Sequence, residues 1–297
     1  MSVQITTAFV EQYRDNLMSL VQQKGSRLRP HVEEEDVTGK TAFFEQVGAV
    51  EAQTVTNRHG DSPLNTTPHA RRRVTLVTKE LGDLVDRADK VRTLVEPTSK
   101  YALAQMWGMG RAMDDALITA ATGSADTGVD GSTATTLPAT QKVAVDYVES
   151  GSAANSGLTI GKLRKAKAIL RANEVDPDEA MFFAVAWQQI QDLLATTQVG
   201  SADYNSIKAL VDGEVSRFMG FDFVNTERLA LNTSTDVRTC FCGVSSGLVL
   251  AIGDDPTVKI SERADKRYST YVYSAMDIGA TRLEEEKIVQ VLCDESP

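Results

Sequence analysis

The sequence predicts an α+β fold in which extended parts are attached to a mixed α/β body. Two alternating stretches flank a polar tip in the first third of the chain. An apolar stripe at helical spacing follows over Pro97–Ala121. After about residue 140 the pattern changes again, to short strands interleaved with helical segments.

Residues 1–40 form an arm. Thr6–Val21 carries Phe9, Tyr13, Leu17 and Leu20/Val21 at helical spacing, so it reads as a helix whose apolar face needs a surface. Another subunit and its own domain are equal candidates for that surface. The basic stretch Gln22–Arg29 and the acidic run Glu33, Glu34, Glu35 and Asp36 follow. Residues 41–86 form an extended loop. Ala42–Thr56 interleaves Phe43, Val47, Val50 and Val55 with polar residues, Asn57–His69 is rich in turn formers, and Ala70–Val85 alternates again. No third apolar strand follows at once, and an isolated hairpin is marginal in water, so the loop is expected to project and to be held by another subunit.

Residues 87–145 centre on the helix of 97–121. Pro97 opens it, where a missing N–H costs nothing, and Gly123 ends it. Its stripe is Leu103, Met106, Trp107, Gly110, Met113, Leu117 and Ala120, over a length of roughly 37 Å. Ser124–Thr140 is built from small polar residues and reads as a loop or boundary. Within residues 146–256, Thr159 caps a basic helix to about Asn173. Ala180–Ala186 suits a buried strand, Trp187–Ala195 a helix, and Arg217–Val224 a strand. Thr239–Cys242 and Leu248–Ile252 flank a small-residue turn. Residues 257–297 are strand-rich, notably at Tyr268–Tyr273 and Ile288–Leu292.

Composition excludes several classes of function. Forty-one acids against thirty-one Lys and Arg leave a net charge of −10, which opposes binding through a large basic surface to phosphate backbones. No apolar run approaches the ~20 residues of a membrane helix, and no secretory leader opens the chain. The chain therefore reads as soluble and made in a cytoplasm. Three cysteines do not make a disulfide framework.

Catalytic motifs are poorly supplied. Gly243-Val244-Ser245-Ser246-Gly247 matches a nucleophile elbow at Ser245, but no histidine lies after His69 to act as its base. Gly108 and Gly110 lie inside a helical stripe, so close approach of a neighbouring element explains them better than a dinucleotide loop does. Cys240 and Cys242 lack metal-ligand spacing and read as core residues. Glu284–Glu286 and Glu33–Asp36 read as solvated faces, as do Lys162, Arg164, Lys165, Lys167 and Arg171. No catalytic residue, metal site or cofactor is expected.

The order of parts resembles the major capsid proteins of tailed double-stranded DNA bacteriophages, a fold shared with encapsulins. The resemblance covers about Thr6 to Val291. Its most specific stretch runs from Val237-Arg238-Thr239-Cys240-Phe241-Cys242-Gly243 through Leu248–Gly253 and Val258–Arg263 to Asp277-Ile278-Gly279-Ala280-Thr281-Arg282 and Ile288-Val289. It implies a peripheral domain at 87–145, an axial domain at 146–256 and a return to the peripheral sheet at 257–297. It also implies a structural protein of the virion, made in the host cytoplasm and free of catalysis, that self-assembles into hexamers and pentamers of an icosahedral shell around DNA. The DNA is enclosed without sequence-specific binding, and no membrane is involved. A separate scaffolding protein, a portal and a cementing protein are the implied partners. An encapsulin-like compartment is the runner-up, and a Ser245 hydrolase and a decoration or tail protein are the other classes. Lys79 lies on the second loop strand, but no local signature marks it as a crosslink donor. Because neighbouring arms and loops lie close in such shells, Arg71, Arg72 and Arg73 are expected to bind Glu33, Glu34, Glu35 and Asp36 of an adjacent subunit.

Overall fold

The structure, a computed structural model, describes residues 22–54, 64–85, 98–195 and 217–296. The helix expected over Thr6–Val21, most of the loop tip and Pro97 lie outside those residues. Four strands come first: β1 (Glu33–Asp36), β2 (Thr41–Val47), β3 (His69–Thr75) and β4 (Val77–Val85). The spine helix α1 (Thr98–Thr122) follows, then β5 (Ser124–Thr127), β6 (Thr133–Thr136), β7 (Lys142–Val143) and α2 (Ile160–Ala172). Next are β8 (Met181–Val185), α3 (Trp187–Ala195), β9 (Arg217–Phe218), β10 (Phe221–Asn225) and β11 (Leu231–Asn232). The chain ends through β12 (Val237–Val244), β13 (Leu248–Arg263), β14 (Ser269–Arg282) and β15 (Ile288–Asp294).

The described strands form three sheets: β1-β13-β14-β4, β2-β3-β5-β6, and β7-β15-β12-β8-β10-β9 with β11 beside β12. The last of these contributes more buried apolar residues to the core than either of the other sheets. All five residues of β8 are buried, as a short apolar run between two neighbouring strands requires. Phe182 meets Phe241 edge-on at 6.0 Å, and Phe183 meets Phe221 at 5.7 Å. Burial of each such ring contributes about 1.5–3 kcal/mol. Thr159 caps α2 as expected, its side chain accepting from the Lys162 amide at 3.3 Å.

Four sequence expectations are corrected. The strand expected over Ala70–Val85 breaks at Leu76. β3 pairs with β2, whereas β4 pairs with β14 in another sheet. Leu76 donates its amide to the Lys40 carbonyl at 2.9 Å as the chain changes sheets. Gly253 and Gly279 make room for this crossing, since a Cβ on them would come 2.7 Å from Leu76 Cδ1 and 2.7 Å from the Thr75 carbonyl oxygen. Second, the small polar stretch after the spine is not a simple loop. β5 and β6 form a hairpin that adds to β3, so the β2–β3 pair is anchored within its own chain. Backbone pairing holds these strands, and apolar alternation therefore gave no signal.

Third, the tail does not return to one sheet. β14 joins β13 and β4, but β15 pairs with β12 and β7 in the seven-stranded sheet, where Ile288, Val289, Val291 and Cys293 are buried. Fourth, the apolar stripe of the spine is buried only from Met109 onward. Met113 and Leu117 are in the core, but Leu103 and Met106 are exposed and Trp107 is half-buried.

Candidate assembly junction

Two buried charged groups, one in the middle of the spine and one at its C-terminal end, tie the extended parts of the chain to α1. In the middle, the fully buried carboxylate of Asp114 receives the strap of residues 22–28. It accepts from the backbone amides of Arg27 and Leu28 at 3.1 Å each, and from the Gln23 side-chain amide and the Ser26 hydroxyl. Four donors around one carboxylate meet the requirement that a buried charge be fully hydrogen-bonded. Gly110, one turn earlier, makes the approach possible, because a Cβ there would lie 2.4 Å from the Gly25 carbonyl carbon. The expectation that this glycine admits a neighbouring element is met, and the neighbour is the strap. Arg111 holds the Gln22 side chain at 2.9 Å and the Gln23 carbonyl at 3.0 Å, and the Lys24 ammonium lies 5.5 Å from the Trp107 ring centroid.

At the C-terminal end, the buried Arg282 donates to the carbonyls of Ala120, Ala121 and Gly123 at 3.0–3.2 Å, and to that of Thr135 at 3.2 Å. The last carbonyls of a helix lack internal partners and carry partial negative charge, so a guanidinium suits them. Glu285 lies 3.6 Å from Arg282 and pairs with Arg72 of β3, which also donates to the Leu283 carbonyl at 2.8 Å. Burial pulls the Arg282 guanidinium below its ordinary value, and Glu285 opposes that shift. An Arg72–Glu285–Arg282 chain thus joins the loop strand, the end of β14 and the spine. Glu285 is therefore not on a solvated face, and it corrects that part of the sequence reading.

The arginine cluster finds carboxylates inside its own chain. Arg71 pairs with Glu45, which lies directly opposite it in the β2–β3 register, and its guanidinium lies 5.2 Å from the Phe43 ring centroid. Arg73 pairs with Asp126 on β5 at 2.8 Å. The acidic run forms β1, an exposed strand running parallel to β13. Glu34 pairs there with Arg29 at 2.8 Å, a hydrogen bond that holds its carboxyl below the ordinary value. Within the chain, then, Arg71, Arg72 and Arg73 are not brought to Glu33, Glu34, Glu35 or Asp36.

Lys162 overturns its reading as a solvated residue. It is fully buried, and its ammonium donates to the carbonyls of Val145 at 2.9 Å, Leu292 at 2.9 Å and Ser156 at 2.5 Å. The position falls one turn before the buried Ala166, which is the signal that sequence reasoning missed. Asp114 left a similar signal, an acid four residues after Gly110 in the spine stripe.

Among the described hydrogen bonds, none joins Ser245 to a histidine. Ser245 opens a short 3-10 turn between β12 and β13, and the glycines of the motif serve packing. A Cβ on Gly243 would come 2.4 Å from Ile288 Cδ1, and one on Gly247 3.0 Å. Cys240, Cys242 and Cys293 are free and buried. A hydrogen bond with Cys293 and burial push the Cys240 thiol up, and burial alone pushes up Cys242, so neither is poised as a thiolate. Among the described residues no group of three or more His, Cys, Asp or Glu could hold a metal ion, and no helix is long and apolar enough to cross a membrane.

A family model described as phage capsid protein matches residues 5–295. No curated protein matches the sequence. Among solved structures, the capsid of the cyanophage P-SCSP1u is similar at 17% identity, with 95% of this chain and 92% of that chain covered and a TM-score of 0.68. The cyanophage Pam1 capsid has 14% identity, coverage of 99% and 98%, and a TM-score of 0.70. The capsid of a native GTA particle has 14% identity, coverage of 94% and 93%, and a TM-score of 0.66. At these identities the likeness establishes the fold: the chain has the architecture of phage major capsid proteins.

Proposed function

Because the chain belongs to the phage capsid protein family and is a structural major capsid protein of the virion, we propose that it closes icosahedral shells from hexamers and pentamers of itself. The shell encloses the double-stranded DNA of a tailed phage. The observation that carries this reading is the family match along residues 5–295, whose extended parts are pinned to one spine by Asp114 and Arg282. Such pinning gives a rigid body from which an arm and a loop reach neighbours. The net charge of −10 fits a wall that encloses DNA without gripping it. No catalysis is assigned, and a scaffolding protein, a portal and a cementing protein are the partners we infer. Synthesis takes place in the host cytoplasm. In domain terms, 1–40 is the arm, 41–86 the extended loop with its last strand β4 turned into the sheet of β14, 87–145 the peripheral domain and 146–256 the axial domain, with 257–297 divided between the two domains by β14 and β15.

At the contacts between copies, Arg71 and Arg73 keep 38% and 31% of their side-chain surface exposed beside their own partners. We propose that each takes a second carboxylate from the Glu33–Asp36 strand of an adjacent subunit. Arg72 is committed to Glu285 within the chain. Exposed pairs contribute roughly 0–1 kcal/mol each, so their effect comes from repetition around the shell. Sedimentation of the purified protein tests the reading: a fast, uniform boundary of closed particles is expected, and a persistent monomer at high concentration would refute it. Glu33/Glu35→Lys should slow assembly, and Arg71/Arg73→Glu added to it should partly restore the rate. Normal assembly of the first variant across salt concentrations would remove the proposed contact.

A further inference from the structure

The sheet edges of this chain are not protected alike. β1, at one edge of its sheet, is four residues long and wholly acidic, which repels a second copy of itself. β6, β7 and β9 are only two to four residues long. β4, at the other edge of the β1 sheet, runs for nine residues without a proline. Its register with β14 is unbroken from Val77↔Ile278 to Val85↔Thr270, and among the described residues no strand lies on its outer side. Every residue of β4 except Val85 is exposed, with Val77 at 51%, Leu81 at 41% and Leu84 at 42%. A long, regular, partly apolar edge is a template for another strand.

We propose that β4 pairs with β4 of a second copy, antiparallel about a two-fold axis through Leu81, joining the two four-stranded sheets into one. The charge pattern selects both the partner and the register. Val77, Lys79, Leu81, Asp83 and Val85 share the face turned toward the spine, where a Cβ on Gly108 would lie 3.0 Å from Leu81 Cδ1. About the axis, Lys79 of each copy opposes Asp83 of the other, Val77 opposes Val85, and Leu81 opposes itself. Lys79 and Asp83 make no ion pair among the described residues. An axis at Glu80 would set two carboxylates face to face, and one at Gly82 would set Asp83 against Leu81. On the opposite face Glu80 meets Gly82, which has no side chain to crowd it, and the Tyr273 hydroxyl donates to Glu80 at 3.0 Å and holds it over its own sheet. β2, the other long edge, carries one charged residue, Glu45, and cannot match charges in this way. The spine packs over β14, and three strand spacings separate the two β14 strands, so the spines lie about 14 Å apart, clear of the roughly 8–10 Å at which helices touch. The inference rests on the reading that copies of this chain assemble, and it adds a two-fold contact between them.

A cysteine on the axis tests it in the full chain. Leu81→Cys sets two thiols opposite each other, whereas Val77→Cys sets them about 26 Å apart along the pair. The native cysteines are buried and do not compete. With oxidised glutathione, Leu81→Cys is expected to give a disulfide-linked dimer, and Val77→Cys a yield lower by roughly tenfold or more. Sedimentation equilibrium below the assembly concentration supplies a second readout. Lys79→Asp should weaken dimerisation roughly tenfold, and Lys79→Asp/Asp83→Lys, which exchanges the two partners, should return to within about threefold of the parent. Equal crosslinking of the two cysteine variants, or a double variant no stronger than Lys79→Asp, would overturn the pairing. Closed shells without the Leu81→Cys crosslink would overturn this inference alone, and crosslinked dimers that never close shells would overturn the shell reading alone.

Discussion

Replacement of Arg282 by methionine is the most severe single perturbation that the junction predicts. Methionine keeps much of the volume and the apolar stem, so the change isolates the guanidinium. Four hydrogen bonds disappear, two of them to carbonyls in the last turn of the spine and one to Gly123 just past it. Glu285 keeps Arg72 but loses its second cation. Removing one partner of a buried charge pair costs about 3–5 kcal/mol, and unsatisfied buried carbonyls act in the same direction. For a domain of this size each kcal/mol corresponds to a Tm change of about 2–4 °C, so a loss of roughly 6–20 °C is expected in the unassembled subunit. Arg282→Lys should recover only part of it, because one ammonium cannot reach both the helix end and Thr135. Differential scanning calorimetry of subunits kept below their assembly concentration measures both variants. A Tm within about 2 °C of the parent for Arg282→Met would refute the view that this guanidinium closes the helix end.

Other consequences follow from the same geometry. Gly110→Ala should push the strap off the spine, since its Cβ would meet the Gly25 and Ser26 backbone; about 1–3 kcal/mol of destabilisation and faster tryptic cleavage at Arg27 are expected. Gly161→Ala, whose Cβ would meet only ordinary contacts, should be neutral or stabilise α2 by up to ~1 kcal/mol, so equal effects of the two alanines would count against the strap. Trp107→Ala, at a half-buried ring, should cost about 1–2 kcal/mol, well below the ~3–5 of a core aromatic; a loss in the core range by urea denaturation would mean that the ring is fully covered. Burial raises the Glu295 carboxyl, but hydrogen bonds from Arg238 and Gln189 outweigh that and leave it below its ordinary 4.5. Its stabilisation is therefore complete above that value and lost as pH falls through the depressed folded pKa, so Glu295→Gln should flatten the acid limb of the stability profile. An unchanged acid limb would remove the ion pair from the account.

Elements whose signal is local were legible in the sequence. α3 matches the expected Trp187–Ala195, and β8 falls within Ala180–Ala186, because apolar periodicity and an unbroken apolar run are written in neighbouring residues. The spine was legible for the same reason, although the half of its stripe that this subunit leaves exposed was not distinguishable from the half it buries. The break at Leu76 depends on Gly253 and Gly279, which are distant in sequence. The β5–β6 hairpin is held by backbone pairing that carries no side-chain pattern. Asp114, Lys162, Arg282 and Glu285 act through partners up to more than a hundred residues away, and a charged residue in a sequence carries no mark of the carbonyls it will meet. The arginine cluster was visible as charge, but its partners Glu45 and Asp126 became readable only with the strand register.

Electron microscopy of the purified protein, at low and then at high concentration, tests the central claim most directly. The account predicts closed particles of uniform diameter whose reconstruction shows icosahedral symmetry and accommodates this fold in hexameric and pentameric rings. Particles lacking such rings, or only monomers under both conditions, would contradict it.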